Sequence, residues 1–372
     1  MKFSDILGHD SVKERLRAMI DNDRLPHALL LEGPAGTGKF AMARATAQYL
    51  HCTARTNGDA CGCCPSCIQH QSFNHIDTIY SFPILKSAGG PVSDDFISLW
   101  RDFLNKSPYM NFELWQSMLG NPNGQPVIYV DESQDIIRKL AFTSHGSQCK
   151  VVIMWLPERM NQQCANKLLK IIEEPLPGVK FIFVSNNPGE ILPTIYSRLQ
   201  RISMKRLGDN EISAYLQQRY QLDPADALAE AHLAEGSILN AEKNRSNNSE
   251  TKQFLEMFQS LMRLSYQRKI GMLKKWSQEV AGLGREQASR FCDYCQRQTR
   301  ENFIANLRIT DLNYLTRDEQ AFSKNFSPFI NERNVEQLSA IFSKAKEDIL
   351  ANGNGKIIFF DVAVKVILLL KR

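Results

Sequence analysis

Apolar and polar positions along the chain fall into two regimes. Before about residue 205, short solid apolar runs alternate with amphipathic stretches; beyond it, apolar residues recur only at helical spacing. The stretch "VKERLRAMI" puts Val12, Leu16, Met19 and Ile20 on one face of a helix. "ALLLE" follows as a short buried strand, and further strands are expected at 127–130, 151–154 and 180–184, with helical segments between them. Apolar strands alternating with helices predict a parallel sheet covered on both faces. From about 206 the strands stop, and "DNEISAYLQQRY" and "PADALAEAHLAE" read as a small helical domain. The polar stretch "EKNRSNNSETK" marks a boundary near 245. The expected organisation is therefore an α/β domain over 1–205, a helical domain over 206–245 and an all-helical domain over 246–372. Residues 82–126, aromatic at their centre and flanked by Gly/Pro pairs, give no readable pattern.

One motif fixes the chemistry of the first domain. "LLLEGPAGTGKFAMA" runs from an apolar strand through a glycine turn into a helix, the layout G-x-x-x-x-G-K-[ST] of a phosphate-binding loop. Gly33, Gly38 and Lys39 fit it, and Gly36 adds a permissive position in the turn. In such a loop the backbone N–H groups and the helix start hold phosphates, the lysine neutralises their oxygens and the hydroxyl ligates magnesium. Here Phe40 stands at the hydroxyl position. An acidic pair at a strand end normally completes the site, and "PVIYVDESQD" offers Asp131 as a magnesium carrier and Glu132 as the group orienting the attacking water. "KFIFVSNNP" brings polar residues, Asn186 among them, to the end of another strand, where ligands of open α/β sheets sit.

Composition changes this picture only in part. Hydrophobic content of 43%, charged content of 23% and a formal charge of +5 are those of an ordinary globular protein and do not by themselves imply nucleic acid. The start of the chain lacks the apolar core of a signal peptide. The tail "IIFFDVAVKVILLL" is too short, and with Asp361 and Lys365 too charged, to span a bilayer. A cytoplasmic protein whose C-terminal helix is buried is expected. Of the nine cysteines, five lie between Cys52 and Cys67. The spacing Cys52-x8-Cys61-x2-Cys64-x2-Cys67 suits one tetrahedral Zn²⁺ of structural type, because four thiolates leave no open position. Cys63 reads as a bystander, as do Cys292 and Cys295, which sit on a helical stretch without a second pair.

Taken together, these segments resemble the bacterial clamp-loader subunits of the AAA+ class. The resemblance rests on "DILGHDSVKERL", "RLPHALLLEGPAGTGK", the cysteine insertion after the P-loop helix, "ANKLLKIIEEP", "ILPTIYSRLQRI" and "DILANGNGKIIFFDVAV". It implies an AAA+ domain with a zinc module at 52–67, a helical lid and a helical collar that oligomerises. It further implies a place in the DNA polymerase III clamp loader, a hetero-pentamer with gamma/tau and delta subunits that loads the sliding clamp on primed DNA, and no membrane. Asn186 falls at the family's sensor position, and Arg198 at its arginine finger, which acts in trans on a neighbour's ATP.

The departures from the family are Phe40, Leu199 in place of the motif cysteine, and Leu239 where the lid arginine belongs. Phe40 and Leu239 remove groups needed for hydrolysis, while Arg198, which would serve a neighbour, is kept. The reading is a stationary subunit, an accessory part of the polymerase complex and not an efficient ATPase alone. It leaves room for weakly bound ATP or ADP, puts magnesium in doubt and makes Glu132 a vestige. The alternatives are an ATP-hydrolysing motor subunit of the same complex and a stand-alone zinc-ribbon nucleic-acid binder.

Overall fold

The computed structural model describes residues 1–121, 124–142, 149–246, 248–308 and 312–370, so part of the expected boundary near 245 and the last two residues lie outside it. The chain divides into two compact units, Met1–Glu242 and Lys243–Arg372. In the first, α1 (Asp10–Asp21) leads to β1 (Ala28–Glu32), α2 (Lys39–His51), α3 (Pro65–Gln71) and β2 (Thr78–Ser81). Then come α4 (Ile97–Lys106), α5 (Phe112–Met118), α6 (Val130–Ala141), β3 (Lys150–Trp155), α7 (Gln162–Glu173), β4 (Val179–Ser185), α8 (Pro193–Tyr196) and β5 (Gln200–Ser203). Three helices follow in the stretch expected as the lid: α9 (Asp209–Tyr220), α10 (Pro224–Leu233) and α11 (Ile238–Ser246).

Among the described residues the sheet has five parallel strands in the order β2-β3-β4-β1-β5. Its central strands are solidly apolar because both faces are covered. On one face Leu29, Leu31, Val151 and Ile153 join the core with α2 and the aromatic residues of 82–126. On the other, Leu30, Val152 and Phe181 pack with α6 and α7. The lid has a core of its own around Leu207, Ile212, Leu216 and Ala231.

Two strands escaped the sequence reading, and one expected strand does not join the sheet. Val127 makes only an antiparallel bridge to Ile84, and Ile128 a parallel one to Met160. The chain then enters α6 at Val130, because Ile136 and Leu140 are spaced to bury one helical face. Asp131 and Glu132 therefore stand in the first turn of a helix, not at the end of a sheet strand.

The second unit contains α12 (Asn248–Tyr266), α13 (Ile270–Ala281), α14 (Arg285–Asn306), α15 (Arg317–Phe326), α16 (Val335–Leu350) and α17 (Gly355–Leu369). Its core gathers Phe258, Trp276, Phe291, Phe342 and Phe359. The expectation that the last helix is buried holds for one face only. Phe359, Val362 and Val366 are buried, while Ile357, Val364 and Leu368 form a stripe 68%, 38% and 64% exposed. No helix of the described residues is long and apolar enough to cross a membrane.

Candidate nucleotide site and metal centre

The P-loop joins β1 to α2, and two of its glycines are required by close approaches. A side chain at Gly33 (φ 144°) would put its Cβ 2.1 Å from the Met204 carbonyl oxygen after β5. One at Gly36 (φ 77°) would meet Ser237 Oγ at 2.1 Å and Leu239 at about 3 Å, because the lid lies directly on the loop. Ile238 N–H donates to the Gly36 carbonyl at 3.1 Å, so the start of α11 is hydrogen-bonded to the turn. Gly38, with φ 87°, caps α2, and a Cβ there would touch Ile6 and Tyr109 at 3.7 Å.

Lys39 is buried and folds back on its own loop, donating to the Pro34 carbonyl and reaching Thr37 Oγ1 at 3.5 Å. Burial pushes its ammonium down from the ordinary 10.5 to about 7, and the neighbouring Glu158 carboxylate opposes that shift only in part. The acid beside the P-loop lysine is thus Glu158, just after β3. Asn186 and Asn187 N–H groups at the end of β4 donate to its Oε1 at 3.0 and 3.2 Å, while Oε2 is buried without a hydrogen-bond partner. Burial raises the Glu158 carboxyl above its usual range.

Asp131 and Glu132 are employed elsewhere. Asp131 pairs with Lys86, which holds its carboxyl below the usual range. Glu132 is buried, accepts from Ser93 N–H at 2.7 Å, and is raised by that burial. Both acids therefore fasten the segment 82–126 to α6. The residues that the sequence grouped into one site make different contacts: Lys39 and the Asn186 N–H have Glu158 as their acidic neighbour, while Asp131 and Glu132 are bound to Lys86 and Ser93.

Segment 82–126 supplies the other wall. Phe40 does not face the phosphate side of the loop: its ring is 3% exposed and meets Trp100 edge-on at 5.7 Å and Tyr80 at 6.2 Å. Trp100 in turn stacks on Phe82 at 3.9 Å and meets Trp115 at 5.1 Å. At the other end of the segment Tyr109 lies between Gly38 and the lid, edge-on to Tyr215 at 5.7 Å. Tyr215 is held by its hydroxyl donating to Glu242 at 2.8 Å.

The four expected cysteines converge. Cys52 and Cys61 sulfurs are 3.6 Å apart, Cys61 and Cys67 3.9 Å, and one sulfur from each of Cys52, Cys61, Cys64 and Cys67 lies within 4.8 Å of the rest. A tetrahedral ion with metal–sulfur bonds of ~2.3 Å has sulfur–sulfur edges of about 3.8 Å, so the residues fit Zn²⁺. Backbone N–H groups of Cys63 and Cys64 aimed at Cys61 hold its thiol down to about 6, while burial pushes the Cys67 thiol up to about 12, so the fit rests on the convergence of the four sulfurs. Cys63 is exposed and outside the cluster; Cys292 and Cys295 are buried on α14, their thiols pushed up by burial.

Comparison with known proteins gives the family of the chain. The family described as "DNA polymerase III, delta subunit" matches residues 8–208, more than half of the chain. The chain belongs to the clamp-loader family of DNA polymerase III. A DNA polymerase III subunit delta' of Pseudomonas aeruginosa is 30% identical over 218 residues, which are 58% of this chain and 55% of that protein. A subunit gamma/tau of Mycobacterium bovis is 26% identical over 214 residues, 58% of this chain and 30% of its own length. A gamma subunit-related structure from Thermotoga maritima aligns at 16% identity and a TM-score of 0.38, covering 97% of this chain and 99% of that one. The chain thus spans about half the length of the first relative and about a third of the second.

In this clamp-loader chain Arg198 follows α8 at the surface. It is ion-paired with Glu173, the last residue of α7, and donates to the Thr194 carbonyl at 2.6 Å. Sequence reasoning missed Glu158, Tyr109 and the part played by Trp100. A signal for Glu158 existed: "KVVIMW" holds a longer apolar run than "VIYV", and Glu158 follows three residues after its end.

Proposed function

We propose that this chain is the delta-prime-type, non-hydrolysing subunit of the DNA polymerase III clamp loader, working in the cytoplasm during replication. The observation that carries the reading is the state of the P-loop. Its magnesium position is taken by Phe40, whose ring is committed to the aromatic core, its lysine is buried on the Pro34 carbonyl, and the lid and Tyr109 close on Gly36 and Gly38. A Phe cannot ligate Mg²⁺, and Leu239 offers no charge to a phosphate oxygen. Glu158, in place of Glu132, takes the acidic position beside Lys39, and with Asn186 it keeps weak binding of ATP or ADP open.

In this account Arg198 is the arginine finger, presented in trans to the ATP of a neighbouring gamma/tau subunit, with delta completing the hetero-pentamer. The complex then loads the sliding clamp on primed DNA. The second unit is the oligomerising collar; the exposed stripe of Ile357, Val364 and Leu368 on α17 supports that role, since apolar faces of this kind mark partner surfaces. Cys52, Cys61, Cys64 and Cys67 hold a structural zinc.

The test is a reconstituted loader carrying Arg198→Ala. The complex is expected to assemble normally, with turnover at the ATP site facing this subunit reduced by roughly 10³–10⁵, the worth of a finger supplied in trans. Unchanged turnover in a correctly assembled complex would remove Arg198 from the reaction. The existence of gamma/tau relatives keeps the motor reading as the second, and Lys39 with Glu158 is the observation in its favour.

A further inference from the structure

Beside the cysteine module lies a second cluster that neither the nucleotide site nor the zinc site uses. His51 ends α2, His70 lies in α3 and His75 stands three residues before β2; their exposures are 5%, 3% and 8%. Their rings are stacked, His75 being 4.3 Å from His51 and 4.2 Å from His70 between centroids. His51 Nδ1 and His70 Nε2 face each other at 2.9 Å, and one ring nitrogen from each of the three lies within 4.8 Å of the others.

Three buried imidazoles are costly as packing material, because each carries polar atoms that need partners. Here the protonation is legible. His51 Nε2 lies 3.0 Å from the Cys149 carbonyl, which only accepts; the proton is on Nε2 and the Nδ1 lone pair faces His70. Ser66 and Thr78 hydroxyls lie 3.0 and 3.3 Å from the two nitrogens of His75.

We propose that His51, His70 and His75 form a site for a divalent transition-metal ion of the zinc class, separate from the four cysteines. Neutral imidazole is the ligand such ions take, and three of them leave a fourth position for water. With metal–nitrogen bonds of ~2.05 Å a tetrahedral site has nitrogen–nitrogen edges of about 3.3 Å, so the His51–His70 pair opens by only about 0.4 Å. His75 leaves the stack and turns one nitrogen inward while a hydroxyl holds the other. The Cys149 carbonyl is then the outer partner that fixes the His51 tautomer.

The charges around the cluster are divided. The buried Asp77 carboxylate favours positive charge on His51 and His75, while the Arg44 guanidinium, which donates to the His70 carbonyl at 3.5 Å, disfavours it on His70. An entry path exists, because His75 and Thr78 line an open groove of about 410 Å³ beside β2. An ion here would tie the end of α2 and helix α3, which bracket the cysteine insertion, to the edge of the sheet.

The test is made on the full chain as isolated and again after loading with Co²⁺. X-ray absorption of the bound metal is expected to show nitrogen as well as sulfur ligands, with two metal equivalents per chain. His70→Gln and His75→Gln are expected to reduce the count by one and to leave the sulfur-to-cobalt charge-transfer absorption in place. Cys61→Ser removes that absorption and spares the nitrogen-bound ion, which separates failure of one site from failure of the other. A folded wild-type chain whose metal shell is sulfur alone, or holds nitrogen that survives both histidine variants, overturns the proposal. The wild-type spectrum decides even where a variant does not fold.

Discussion

Phe40 meets Trp100 edge to face, with ring centroids 5.7 Å apart and planes at 89°. The residue in the magnesium position of a P-loop is thereby the anchor for the segment 82–126. Phe40→Thr is expected to restore the motif on paper and weaken the protein in fact. Removing most of a buried aromatic ring costs about 3 kcal/mol, and no magnesium-dependent turnover should appear. Denaturant unfolding and an ATPase assay on the same variant check both halves.

Tyr109 is the second contact by which this segment reaches the P-loop. Its ring lies against Gly38 and Tyr215, so it belongs to the wall that closes the site. Tyr109→Ala is expected to tighten binding of a fluorescent ATP analogue by about tenfold, equivalent to about 1.4 kcal/mol. Binding that stays unchanged would mean that the tyrosine does not guard the loop.

The sequence made the P-loop plain because its signal is local: glycines at fixed offsets, an apolar strand before and a helix after. The cysteine spacing was plain for the same reason. β3 and β4 were readable because strands buried on both faces are apolar throughout. β5, "QRIS", is an edge strand with one buried residue, and β2, "TIYS", is polar in composition yet fully buried. Neither carries a pattern that differs from loop. The acidic pair misled because "VIYV" is as apolar as a strand, while what decides its fate is the helical spacing of Ile136 and Leu140 downstream. Segment 82–126 gave no account of itself because its tryptophans take their meaning from Phe40 and Trp155, which lie outside it in the chain.

Lys39 makes the stability of the chain depend on pH in a stated direction. Its ammonium titrates near 7 in the folded protein and near 10.5 when unfolded, so between these values the unfolded chain binds more protons. Stability from this group rises with pH in that window, by at most about 1.4 kcal/mol per unit, and the deficit is complete below pH 7. Lys39→Met is expected to be more stable than the parent at pH 7, with the gap shrinking towards pH 9. Denaturant melts of both proteins across that range give the difference directly.

The zinc assignment is checked through its ligands. Cys61→Ser is expected to lose the sulfur-bound metal equivalent and to unfold more readily, since binding of a structural ion is coupled to folding. Cys63→Ser should change neither, as its sulfur is exposed and outside the cluster. Metal analysis of the two purified variants distinguishes them.

The central claim is that this clamp-loader chain has a P-loop closed to catalysis and serves the chemistry of a neighbour. ATP binding and hydrolysis by the isolated chain, with and without magnesium, test it most directly. Weak or undetectable binding and no turnover are the expected result. Robust magnesium-dependent turnover would contradict it, placing the chain among the motors of the loader.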